Sequence, residues 1–377
     1  MLFGDERFKN AAGEYLKEGI DCNEDGEFSE KSAGNYNRIN DDAMIMLSEA
    51  LEDPVYEEFA VRNLRLMLSY LEADDSIFTA DSTRFDKDLV IFPKDYYLDY
   101  LKMGIKYNDK DFIGMADRIF DIIDRKKLTA PDVLIQFMNE PELRHFESIR
   151  MYRSEDFCRY YEKSGIVRGR HEGFTYTVMK GKSNFFYLNN GTMKITVKLA
   201  GSFCEHRAFK SEMLEQTGEG EFHLSQTMHG WYYLPFEDKP ETSDWWKMDN
   251  SLRKKKLGPD MKIDVWVKEA EHGMDIRFLT QGVEGAPWRV EIAFGGGNFI
   301  EGDSFCMPLS KDEVIVAKSG TIQVSDGEGA LSVGPCFGAH HFTEGKEDSE
   351  PRMEGAATVY LTDYTAFDHT IEIRNVD

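Results

Sequence analysis

The stretch Met193–Leu199, MKITVKL, decides the fold: Met193, Ile195, Val197 and Leu199 alternate with Lys194, Thr196 and Lys198. A period of two sends successive side chains to opposite faces, so the stretch predicts a half-buried antiparallel strand with one apolar and one polar face. Met261, Ile263, Val265 and Val267 repeat the pattern against Lys262, Asp264 and Lys268. Turn signals follow to the C-terminus at Asn190-Gly191, Gly218-Glu219-Gly220, Gly295-Gly296-Gly297 and Asp326-Gly327. Between them, Glu313–Ala317, Thr321–Val324, Ala357–Leu361 and Thr370–Ile373 read as further strands.

Upstream the texture is helical. Asp5, Phe8, Ala12 and Leu16 match Asp53, Tyr56, Ala60 and Leu64, which match Asp109, Phe112, Ala116 and Phe120. An acidic start suits a helix N-terminus, and the following i, i+4, i+8 stripe has a small residue where neighbours come close. Three equivalent helices are predicted, with partners at about Asp42–Leu51 and Lys94–Ile105, and a further helix at Pro131–Asn139. Helices first and strands after, without βαβ alternation, give an α+β chain of two domains. Residues 1–145 are expected to form an α/α helical-hairpin domain, an incomplete toroid, and residues 146–377 an antiparallel β-sandwich, with the boundary inside Leu143–Gly165. A plain helical bundle is the alternative for the first domain.

At 377 residues the chain is long enough for two cores, and its 41% hydrophobic and 13% aromatic content argues against disorder. A formal charge of −24 opposes binding to nucleic acid or to an anionic membrane. The five cysteines, Cys22, Cys158, Cys204, Cys306 and Cys336, are widely spaced without a CxxC pair, as reduced thiols would be. No apolar stretch approaches the length of a membrane span and no signal-peptide core is visible, so the expectation is a soluble, cytoplasmic chain. No cofactor motif occurs, Gly295-Gly296-Gly297 opens no helical pattern, and scattered His and Asp define no metal site. Whether copies of the chain associate into a homo-oligomer, with a partner completing the helical ring, is left open.

The candidate functional loop is Asp21–Asp42, DCNEDGEFSEKSAGNYNRINDD, set between two helical patterns. It carries a phenol, amides, an arginine and several carboxylates with almost nothing apolar to bury, which a purely structural connection seldom needs. Asp41 and Asp42 are most simply read as caps of a helix Ala43–Leu51.

Asp25, Gly26, Glu27, Phe28, Glu30, Ser32 and Tyr36, together with the segment Ser164–Phe203 and the domain order, resemble the heparinase II/III-like polysaccharide lyases. The resemblance implies β-elimination on a uronic-acid-containing poly- or oligosaccharide in a cleft between the domains, where a tyrosine protonates the departing O4. The uronate carboxylate is neutralised by amide, imidazole or guanidinium groups, since the intermediate carries extra negative charge. Carried over by residue, Tyr36 is the general acid, with a histidine from the sandwich as its partner. His206 is the first choice, followed by His229 and then His340-His341. The neutralising Asn or His is expected upstream of residue 1, leaving Asn40 or Arg38 as stand-ins. Two departures stand out: Asn35 occupies the place where the family's tyrosine commonly falls, and Asn37 the place of the histidine that commonly follows it.

Glu30, Asn35, Arg38, Arg207, His229 and Trp231 complete the candidate substrate-binding set. Trp231, Tyr232, Tyr233, Trp245 and Trp246 form either a sugar-stacking platform or the edge of a core, and Arg253-Lys254-Lys255-Lys256 either attracts a polyanion or is a solvated turn. Two alternatives stand beside the lyase. One is an α/α-scaffold glycoside hydrolase using a pair among Glu27, Glu30, Asp41 and Asp42. The other is a non-catalytic carbohydrate-binding protein.

Overall fold

A computed structural model describes residues 6–144, 152, 155–345 and 348–376. It divides into two compact units: Met1–Ser154 with Tyr161–Ser164, and Glu155–Tyr160 with Gly165–Asp377. Asp5 of the first repeat and the residue-146 boundary lie outside the described residues.

The first unit is helical. Its α-helices are α1 (Glu6–Leu16), α2 (Tyr36–Leu51), α3 (Val55–Tyr70), α4 (Tyr97–Tyr107), α5 (Lys110–Arg125) and α6 (Leu134–Asn139). Asp109 caps α5 by accepting from the amides of Asp111 and Phe112, which is the role its place in the repeat suggests. Tight reversals make antiparallel hairpins of α2 with α3 and of α4 with α5: Glu52 and Asn108 take the left-handed conformation at the two helix ends. Ala60 and Leu64 of α3, and Phe112 and Ala116 of α5, are buried as the repeat requires. Two corrections follow. In α5 the buried stripe runs on to Ile119 and leaves Phe120 exposed, because a straight helix keeps i, i+4, i+7 on one face. The first copy is a helix but buries no residue, and Phe8 is 64% exposed, so the three helices are not equivalent in packing.

A second repeat, not apparent from apolar spacing, sits after α1 and after α3. The bridge Cys22–Phe28 closes one turn and Leu71–Ile77 the other. The two turns share their backbone hydrogen bonds: Asn23 N donates to Glu27 O as Glu72 N does to Ser76 O, and Gly26 N to Asn23 O as Asp75 N does to Glu72 O. Gly26 and Asp75 both have positive φ, and at Gly26 a Cβ would stand 2.5 Å from the Arg62 carbonyl oxygen, so only glycine fits the first turn.

Among the described residues the second unit forms a pair of nine-stranded sheets. In chain order the first strands are β1 (Phe157–Tyr161), β2 (Ile166–His171), β3 (Phe174–Met179), β4 (Asn184–Asn189), β5 (Lys194–Phe203) and β6 (His206–Ala208). Then come β7 (Met213–Gly218), β8 (Glu221–Tyr233), β9 (Lys255–Ala270), β10 (Gly273–Gln281), β11 (Pro287–Gly295) and β12 (Phe299–Gly302). The last are β13 (Phe305–Pro308), β14 (Val314–Val316), β15 (Ile322–Ser325), β16 (Ala330–Gly334), β17 (Ala357–Tyr364) and β18 (Asp368–Val376). One sheet runs β1-β2-β3-β4-β5-β11-β17-β14 with β6 on β5, and the other β13-β12-β15-β16-β18-β10-β9-β8-β7. From β2 onward the described pairs are antiparallel apart from β14 with β17, which is parallel.

Ile195, Val197 and Leu199 point into one core with Val290 and Ile292 across the first sheet and Val265, Val267, Ile371 and Ile373 from the second. The outer face of β5 departs from expectation. Lys198 and Thr196 are buried there as well, beneath a strap formed by residues 340–345 and 349–353. Lys198 survives burial because its ammonium meets Glu291 at 2.9 Å and donates to the Pro351 carbonyl at 3.3 Å.

Candidate functional site

The stretch taken as one loop is half helix. Helix α2 starts at Tyr36, so Arg38, Asn40, Asp41 and Asp42 lie within it, and Asp41 and Asp42 do not cap a helix beginning at Ala43. The buried face of α2 is Asn37, Asp41, Ile45 and Ser48, at helical spacing but largely polar, so an apolar-periodicity reading starts the helix too late.

The remainder of the loop is held by its own acidic and hydroxyl groups. Asn23 Oδ1 accepts from the amides of Asp25 and Glu27, and Asp25 accepts from Ser164 N at 2.9 Å. Lys31 joins Glu27 at 3.1 Å, Asp81 at 3.0 Å and the Ser164 carbonyl at 2.9 Å, while Tyr70 donates to Glu27 at 2.9 Å. Burial raises the Glu27 pKa, and neighbouring Asp81 adds to it, since both carboxylates share one ammonium. Asp86, fully buried, accepts from Ser32 Oγ at 2.8 Å, Ser82 Oγ at 2.6 Å and Gly34 N at 2.9 Å. Ser32 Oγ in turn accepts from Tyr36 N at 3.1 Å, which fixes where α2 begins.

Tyr36 is partly exposed at that helix start. Its ring lies edge-on to Phe85, 6.0 Å between centroids, and the Arg84 guanidinium stands 5.6 Å from the ring centre. Arg84 is ion-paired to Glu30. Asn35 precedes the helix without a side-chain cap bond, Arg38 pairs with Asp42 at 2.6 Å, and Asn40 lies one turn along from Tyr36 on the same face. The structure thus gathers Glu30, Asn35, Tyr36, Arg38 and Asn40 around one helix end. It adds Arg84, which sequence reasoning missed because it comes from the segment between α3 and α4, distant in sequence from Tyr36.

Behind this end lies a polar interior. Among the described residues, neither Asp41 oxygen, one Asp99 oxygen nor the Asn37 carbonyl oxygen finds a hydrogen-bond partner. Burial holds the Asp41 carboxyl well above the usual range, with Asp99 and Asp42 adding to the shift. Asp99 is raised likewise, by burial and then by Asp42. The folded chain therefore binds more protons here than the unfolded chain. This contribution to stability is fully present below the ordinary aspartate pKa of about 3.9 and is lost as pH rises from there through the folded-state value. Asp41→Asn is expected to stabilise the protein by about 1–3 kcal/mol at pH 8 and by much less at pH 4.5, read from urea midpoints at both. An equal gain at the two pH values would show that charge is not the cause.

In the sandwich unit, His206 opens β6 and pairs with Phe203 across a tight turn. Arg207 Nη1 donates to the carbonyls of Cys204 at 2.7 Å and His206 at 3.2 Å. Cys204 Sγ accepts from Trp231 N at 3.3 Å, so the turn gathers His206, Arg207 and Trp231. Trp231 lies edge-on to Tyr233, 4.9 Å between centroids, with the Lys255 ammonium 3.7 Å from its ring centre, and Arg253 stands 5.2 Å from the Trp245 ring. The basic run and the aromatic run are therefore one surface. His229 is exposed and held by Asp260 at 2.9 Å.

Arg207 also lines a cavity of about 490 Å³, with Trp288, Arg289, His340, His341 and Phe342. His340 is buried, its Nε2 at 3.1 Å from the Trp288 carbonyl and its Nδ1 accepting from Phe342 N at 3.3 Å. Burial lowers its pKa, which keeps the ring neutral with the proton on Nε2.

Among the described residues no group of three or more His, Cys, Asp or Glu could hold a metal ion, and no helix is long and apolar enough to cross a membrane. No protein-family model matches the chain, and a search of curated proteins returns no match.

Proposed function

We propose that this chain cleaves acidic oligosaccharides by β-elimination, with a base taking the C5 proton and Tyr36 donating a proton to the departing O4 as the C4–O4 bond breaks, and that its helical unit is an incomplete α/α toroid. The observation that carries the reading is the partly exposed Tyr36 ring beside the Arg84 guanidinium at the start of α2. A guanidinium at this place neutralises the carboxylate of a bound uronate, which is the electrostatic help that removal of the C5 proton needs. Glu30 orients Arg84, and Asn35, Arg38 and Asn40 supply amide and guanidinium groups nearby. His206, expected as the partner of Tyr36, belongs to the sandwich unit, at the head of β6.

The hydrolase reading has less to draw on, since Glu27 and Asp41 are buried and Asp42 is paired with Arg38. The binding-protein reading draws on the surface of Trp231, Tyr233, Trp245 and Lys255, whose aromatic faces and cations suit an acidic sugar. The test is incubation with heparan-, chondroitin- and alginate-type glycans while ultraviolet absorbance is followed. A rise from the unsaturated product is expected. New reducing ends without that rise would select the hydrolase, and saturable binding without turnover, abolished by Trp231→Ala, the binding protein.

A further inference from the structure

The segment that brings Arg84 to Tyr36 also brings Phe85, and it turns the phenyl ring outward. Asp86 decides this: its carboxylate is buried on Ser32, Ser82 and Gly34, so the residue before it is left on the outside. Phe85 is 68% exposed. The turn itself is fixed. Arg84 N donates to Ser82 Oγ at 3.0 Å, Lys87 N to the Arg84 carbonyl at 3.1 Å and Leu89 N to the Asp86 carbonyl at 3.1 Å. Thr83 donates twice to the Glu30 carbonyl, from its amide at 3.1 Å and from Oγ1 at 2.8 Å, which ties the turn to the loop that leads into α2. An exposed apolar ring on a surface turn is ordinary by itself. This one is held rigidly beside the proposed proton donor.

The two rings make a corner. Tyr36 and Phe85 lie 6.0 Å apart between centroids at 72° to one another, and the Arg84 guanidinium stands 5.6 Å from the Tyr36 ring centre. Arg84 is paired to Glu30, which holds the guanidinium in place. A phenol, a guanidinium and a phenyl ring largely open to solvent thus stand over a distance that one or two sugar units cover. A pyranose carries hydroxyls around its rim and C–H groups on its faces. Laying a face on an aromatic ring therefore removes apolar surface from water while the rim hydroxyls stay solvated. A free carboxylate would satisfy Arg84 as well as a uronate does. The phenyl ring adds what tells a sugar from a bare anion.

We propose that Phe85 is the sugar-stacking residue of this site, packing the face of the pyranose next to the bond that Tyr36 protonates. It binds substrate and takes no part in the proton transfer. This placement rests on the reading of Tyr36 as proton donor, and two measurements separate the two. Phe85→Ala and Phe85→Tyr are compared with the wild type in absorbance kinetics on heparan-, chondroitin- and alginate-type oligosaccharides. The same substitutions are compared by titration calorimetry in the Tyr36→Phe background, where turnover does not intervene. Phe85→Ala is expected to raise KM and to weaken binding by about tenfold, the effect of losing an aromatic anchor, with kcat kept within about threefold. Phe85→Tyr restores the flat ring and is expected to bring KM and affinity back to within about threefold of the wild type. Circular dichroism spectra check folding, which an exposed side chain does not decide. Weaker binding in Phe85→Ala without any turnover by the wild type would end the Tyr36 reading and keep Phe85 as a glycan-binding residue. A fall in kcat with KM and affinity unchanged would show that Phe85 only props the Tyr36 ring, and would overturn the proposal. Equal binding with and without the phenyl ring, no recovery in Phe85→Tyr, or no binding of any of the three glycans would overturn it as well.

Discussion

In the Tyr36→Phe variant, turnover of an acidic glycan is expected to fall by ~10²–10⁴-fold, the range that a positioned proton donor contributes. The Michaelis constant should change little. The ring remains wedged against Phe85 and beside Arg84, so the surface that holds the substrate is kept and only the transferable proton is lost. Phenylalanine also leaves the start of α2 intact, because Ser32 Oγ accepts from the backbone amide of residue 36 rather than from its side chain. Steady-state absorbance kinetics with matched circular dichroism spectra provide the check. A variant that keeps more than about a tenth of the wild-type turnover would remove Tyr36 from the proton-transfer step, given the size of effect such a step carries.

The Asp86→Ala variant is expected to lose on the order of 3–5 kcal/mol of stability, the cost of breaking a buried charged network. Asp86 accepts from two hydroxyls and one amide in a fully buried setting, and removing it strands Ser32 Oγ, Ser82 Oγ and Gly34 N together. The loss should also reach Tyr36, since Ser32 is the link between Asp86 and the first amide of α2. Urea unfolding measures the energy, and hydrogen exchange at residues 34–38 reports the fraying. Asp86→Asn keeps one acceptor oxygen and should cost distinctly less. A cost below about 1 kcal/mol for the alanine variant would mean that the three donors find other partners, because each unsatisfied buried donor alone costs ~1–3 kcal/mol.

Both variants concern the stretch Asp21–Asp42, whose residues serve two different ends. Asp25, Gly26, Glu27, Phe28 and Ser32 turn inward to hold the loop, by a backbone turn, an ion cluster, a buried ring and a hydroxyl relay. Tyr36, with Asn35, Arg38 and Asn40, is what the loop presents. Residue type alone does not separate these groups, since carboxylates and amides occur in both.

What the sequence determined by itself is the part of the architecture written in spacing. The two-residue alternation at Met193–Leu199 and Met261–Val267 placed β5 and β9, the Asn190-Gly191 turn marked the start of β5, and the Asp109 start marked α5. These follow from the backbone, whose periods of 2 and 3.6 sort side chains onto faces wherever one face is apolar. Only the tertiary structure decided three further things: that α2 begins at Tyr36 with Asn37 and Asp41 turned inward, that the charged face of β5 is buried under a strap, and that Arg84 stands beside Tyr36. The physical reason is common to all three. A polar group can be buried when a partner, or in Asp41 a proton, offsets its desolvation, and the partners of Lys198 and Tyr36 are contributed by chain segments far away in sequence.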